Sequence, residues 1–112
     1  GIELVRSYFK TVGEHICEQA DVAVPSIAIS VDLASQGSWF DRKIFSDCEE
    51  LFKKAKETEQ INGSHNELAR LTHTFFQGAL YSWALGSITS EEFLRMSTQS
   101  VDFAVSSCRG AA

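Results

Sequence analysis

Apolar residues recur along this chain in steps of three and four, the spacing that lines one face of a helix. Ile2, Val5, Phe9, Val12 and Ile16 make the first such stripe, widened by Leu4 and Tyr8 and opposed by Arg6, Lys10, Glu14 and Glu18. A helix over residues 2–20 is expected. The next segment is ambiguous. Ile27, Ile29, Val31 and Leu33 alternate like a half-buried strand, while Val24, Ile27, Ala28, Val31 and Ala34 fit a helix with Pro25 in its first turn. The alternation slightly favours a strand, but no other segment offers a partner, and a lone strand leaves its backbone groups unpaired. The segment therefore reads as a short buried helix.

Gln36-Gly37-Ser38 interrupts the pattern, and Ser38 or Asp41 suits the start of a third helix. Its stripe is Ile44, Cys48, Leu51, Phe52 and Ala55, with Phe40 and Phe45 beside it and Lys53, Lys54 and Lys56 towards its C-terminal end. Ile61-Asn62-Gly63-Ser64 reads as a turn. A fourth helix follows from about Asn66, apolar around most of its circumference: Leu68, Ala69, Leu71, Phe75, Phe76, Ala79, Leu80, Trp83, Ala84 and Leu85. Such a helix is buried on more than one side, which a second subunit would explain. Gly86 ends it, Thr89 and Glu92 form a capping box, and a fifth helix carries Phe93, Leu94, Val101, Ala104 and Val105, flanked by Met96 and Phe103. Residues 106–112 read as a frayed end.

Composition supports an all-α fold of five helices in one domain over residues 1–112. Of 112 residues, 44% are hydrophobic, including eight Phe, two Trp and two Tyr, and there is one Pro, so core formers are plentiful and helix breakers few. A net charge of -5, with only Lys53-Lys54-x-Lys56 as a basic cluster, argues against direct contact with nucleic acid. Cys17, Cys48 and Cys108 are far apart and odd in number, which argues against a disulfide framework and for a reducing cytoplasm. Residues 71–90 are uncharged, yet His73, Gln77 and several hydroxyls make them a poor membrane span.

The order of these elements resembles the C-terminal half of TetR/AcrR-family transcriptional regulators. The residues carrying the resemblance are Phe52-x-x-Ala55, Leu68-Ala69, Phe76-x-Gly78-x-Leu80, Trp83-Ala84-Leu85-Gly86, Ser90-Glu91-Glu92-Phe93 and Val101-Asp102. Val24-Pro25-Ser26-Ile27-Ala28-Ile29 stands where that family has a short buried helix. The resemblance implies that the last two helices pair with their copies in a four-helix-bundle homodimer interface. It also implies that the preceding helices surround a pocket for an apolar or amphipathic small-molecule effector. The family's helix-turn-helix head has no counterpart here. Either the chain is a piece of a longer regulator, which would contact DNA only through that N-terminal head, or it is a domain that never carried the head; the uncapped start at Gly1 favours the piece.

On this basis the candidate pocket lining is Phe9, Ile27, Val31, Trp39, Phe45, Phe52, Phe75 and Phe76. The candidate interface residues are His73, Gly78, Tyr81, Trp83, Phe93, Val101 and Val105. For any single aromatic, plain core packing competes with ligand contact. Gly78 lies inside a helix, where Gly costs roughly 1 kcal/mol relative to Ala. Close approach of a second subunit accounts for it, as does packing within one chain. His73, one turn from Gln77, suits a satisfied polar group at an interface.

No catalytic, cofactor or metal signature emerges. Glu49-Glu50 and Glu91-Glu92 are sequence neighbours, which diverge on a helix, as do His15 and Cys17. Ser26, Ser30 and Ser106-Ser107 lack a nucleophile-elbow context. Two other functions compete. An acidic helical phosphotransfer domain needs a surface His followed by Lys-Gly, but here His73-Thr74-Phe75-Phe76-Gln77-Gly78 places Gly one position late and replaces Lys by Gln77. A dimeric helical scaffold without ligand predicts an interior with no cavity.

Overall fold

A computed structural model describes residues 1–32 and 39–109, and within these the side chains of all but residues 26, 28–32, 39–41 and 109. The described residues form five helices and no strand: α1 (Ile2–Glu18), α2 (Ala20–Asp32), α3 (Trp39–Thr58), α4 (His65–Ala84) and α5 (Ser90–Arg109). Helices α1, α3, α4 and α5 pack in a closed ring, each touching the next, and α2 lies across α4 and α1. The described residues thus form a four-helix bundle with a fifth helix laid against two of its members.

Helix boundaries follow local chemistry. Ser64 caps α4, its Oγ accepting the Glu67 N–H at 3.0 Å and satisfying a donor that the first turn leaves without a helical partner. The capping box of α5 is reciprocal: Thr89 Oγ1 accepts from Glu92 N at 3.1 Å, and Glu92 Oε1 accepts from Thr89 N at 3.3 Å. At the end of α4, Gly86 takes φ +80°. Its N–H donates to Trp83 O at 3.0 Å and that of Ser87 to Ser82 O at 2.8 Å, the two bonds of a Schellman ending.

The segment with the strand-like alternation is helical as far as Asp32, joined to α1 by a short break at Gln19. Two expectations about it are corrected. Pro25 is the sixth residue of α2 and not in its first turn. Nor is the helix fully buried where its side chains are described: Ala20, Ala23, Val24 and Ile27 lie half-buried against the core, while Val22 and Pro25 are exposed. Helix α2 has one covered flank because it lies across α4 and α1 and is not enclosed by the ring.

The core is the interior of that ring. Val5, Phe9 and Ile16 of α1 meet Ile44, Cys48, Phe52 and Ala55 of α3. Leu68, Ala69, Phe76, Ala79, Leu80 and Trp83 of α4 and Phe93, Val101, Ala104 and Cys108 of α5 complete it. Leu4, expected to widen the first stripe, stands about 100° around the helix from Val5 and is 60% exposed. The expected fraying from Ser106 is also corrected. Helix α5 runs to Arg109 because Cys108, only 3% exposed, packs against the turn at Gly63. Residues 110–112 lie outside the described part.

Polar contacts tie the helices together at the ring's rim. Arg6 donates through Nε and Nη2 to Asp102 Oδ1, at 2.9 and 2.6 Å, joining α1 to α5, and also reaches Glu3. The Tyr8 hydroxyl donates to Asp47 at 2.8 Å, joining α1 to α3, and Asn66 donates to Glu49 at 2.8 Å, joining α4 to α3. Inside the α5 stripe, Ser97 and Ser100 are buried, and each hydroxyl donates to the carbonyl four residues back at 2.8 Å. That back-bonding satisfies them without a partner on another helix. It also lets Gly13 of α1 approach closely: a Cβ there would stand 3.1 Å from Leu94 Cδ2 and 3.3 Å from Ser97 Oγ.

Candidate functional site

Two regions were expected to carry function, a pocket near α3 and α4 and a face on α4 and α5. The rings proposed for the pocket divide into three groups. Phe9, Phe52 and Phe76 are fully buried and build the core. Phe9 and Phe76 lie 5.2 Å apart between centroids, Phe76 and Phe93 5.9 Å, and Phe93 and Trp83 5.3 Å in a stacked pair. Ile27 and Phe45 are half-buried, Phe45 with its ring 5.8 Å from His73 and edge-on to it. Phe75 lies elsewhere, on the outer surface, 37% exposed and edge-on to Phe103 of α5 at 5.7 Å. The side chains of Val31 and Trp39 lie outside the described residues.

Helix α4 shows why Phe75 and Phe76 separate. Consecutive helical positions point about 100° apart. Phe76 shares its direction with Leu68, Ala69, Thr72, Ala79, Leu80 and Trp83, all buried. Phe75 lies about 100° round from it, at the edge of that buried side, and Thr74 and Gly78, both exposed, take the opposite direction. A Cβ built on Gly78 meets nothing within 4 Å among the described residues, so packing between them does not account for that glycine. Leu85, at the end of the same side, is 79% exposed, and Phe103 is 50% exposed. The outer α4–α5 surface therefore presents two large rings in contact, a smooth notch one turn along at Gly78, and no charge on α4 from Leu71 onward.

The residues proposed for an interface are not all on that surface. Phe93 and Val101 are fully buried and Trp83 is 8% exposed, all within the chain's own core. The Trp83 indole donates to Ser90 Oγ at 2.9 Å. Tyr81 and His73 are half-buried, and Val105 packs partly covered against the core. Only Gly78 of that set is open. Phe103 and Leu85, which complete the exposed surface, were visible in the sequence as apolar residues, but nothing in the periodicity marked them as uncovered.

The titratable groups offer little chemistry. Burial pushes the Cys48 thiol up to about 12, and it raises those of Cys17 and Cys108 as well, so all three stay protonated near neutrality. Burial also raises the Tyr8 phenol, helped by its hydrogen bond to Asp47. Among the described residues no three His, Cys, Asp or Glu side chains gather as a metal would require. His73 Nε2 is buried beside Phe45, so a phosphoryl donor has no approach to that atom in this arrangement. No described helix is long and apolar enough to cross a membrane. No protein-family model, curated protein or solved structure matches this chain.

Proposed function

We propose that this chain is a small-molecule-sensing and homodimerisation domain of a transcriptional regulator, with the outer α4–α5 surface as the face that meets a second copy. The observation that carries the reading is that surface: Phe75 and Phe103 exposed in mutual contact beside the open Gly78. Covering what remains exposed of the two rings contributes about 2 kcal/mol apiece, at about 25 cal/mol per Å² and about 200 Å² per ring. A chain of charge -5 repels its copy through most surfaces, and an uncharged α4 face lets two copies approach. In a two-fold contact each copy supplies both the ring ridge and the glycine notch. The resemblance to TetR/AcrR-type regulators, noted from the residue pattern, supports the same pairing of the last two helices.

In this reading the effector site lies on the opposite side of α4, towards α3 and α2, where Phe45 and Ile27 remain half-buried. An effector acts by binding one packing of the helices better than another, which shifts the relation between the two α4–α5 pairs. Contact with DNA falls to a separate head of the parent regulator, consistent with the acidic balance of these residues.

Sedimentation equilibrium at about 10 μM, a concentration at which a dimer held by about -8 kcal/mol or better is populated, tests the dimer. The expected result is a mass twice the 12.4 kDa of one chain. The pair Phe75→Asp and Phe103→Asp should give monomers of unchanged helix content, since both rings are already partly exposed. A monomeric parent chain would remove the basis of the proposal. Thermal shift against a panel of apolar compounds tests sensing separately. A dimer that no compound stabilises would favour the ligand-free scaffold instead.

A further inference from the structure

We draw no further inference here: the strongest candidate, the polar cleft of about 250 Å³ between the start of α1, the α3–α4 turn and the last turns of α5, is walled by Glu59, which already accepts from the Ile2 N–H, and by an Arg6–Asp102 pair already satisfied within the chain, and nothing in the structure shows what would occupy it.

Discussion

Three glycines make a graded test of this packing, because the same change to Ala meets a different environment at each. Gly63 takes φ +92°, and a Cβ there would stand 2.8 Å from Cys108 Sγ and 3.2 Å from Cys108 Cβ. Left-handed backbone costs a non-glycine residue roughly 1–2 kcal/mol. Forcing a methyl into a filled contact adds about 1–3 kcal/mol. The reduced freedom of the unfolded chain returns about 0.4–1 kcal/mol. Gly63→Ala should therefore destabilise by about 2–4 kcal/mol. Gly86 has φ +80° but nothing within 4 Å, so Gly86→Ala bears only the backbone cost, about 1 kcal/mol. Gly78 is helical with nothing within 4 Å, so Gly78→Ala should stabilise the isolated chain by about 1 kcal/mol.

Urea titrations followed by far-UV circular dichroism would measure all three. They should be run below and above the dimerisation range, because the proposed notch makes Gly78→Ala stabilise the monomer while weakening the dimer. A double-mutant cycle of Gly63→Ala with Cys108→Ala isolates the contact. Removing Sγ should recover about 0.5–2 kcal/mol of the loss while leaving the backbone part. If Gly63→Ala and Gly86→Ala cost the same, and Cys108→Ala recovers nothing, then the end of α5 does not pack on the turn as described.

Other consequences follow from single contacts. Phe76, buried between Phe9 and Phe93, should cost about 3–5 kcal/mol on change to Ala, whereas Phe75→Ala, its ring already 37% exposed, should cost the monomer clearly less, about 1–2 kcal/mol; comparable losses in chemical denaturation would contradict the assignment of inner and outer faces. Thr89→Ala removes the acceptor for the Glu92 N–H and should lower stability by about 1 kcal/mol, with Thr89→Ser restoring most of it. Cys48 and Tyr8 both hold their protons more tightly when folded than their ordinary values of 9.0 and 10.0. Their stabilising contribution is complete below those values and is lost as pH rises through them towards the folded values, so unfolding free energy should fall from about pH 9 upward. Cys48→Ala should flatten the lower part of that slope, and an unchanged slope would mean that the thiol is not desolvated.

Much of the fold was legible because it rests on local causes. The stripes of α1, α3 and α5 follow from spacing, since each helix has one preferred buried side. Thr89 and Gly86 mark boundaries by the hydrogen bonds and backbone angles their own side chains allow, or, for glycine, by having none; Ser64, legible only as part of a turn, is the cap of α4 in the structure. Even the strand-like alternation of α2 resolved correctly, on the argument that a single strand cannot satisfy its backbone.

What remained for tertiary structure was which neighbour covers which side. Periodicity places a residue at an angle around its own helix, but the helix that fills that angle comes from distant sequence. Residues 71–84 of α4 are apolar or neutral on every side, so Phe75 and Phe76 are alike in the sequence. Only the closing of the α1–α3–α4–α5 ring turns Phe76 inward and leaves Phe75 beside Phe103 at the surface. The same closure places Phe93, Val101 and Trp83 inside the chain, and it makes Cys108 part of the core, because the turn at Gly63 comes close enough to hold it.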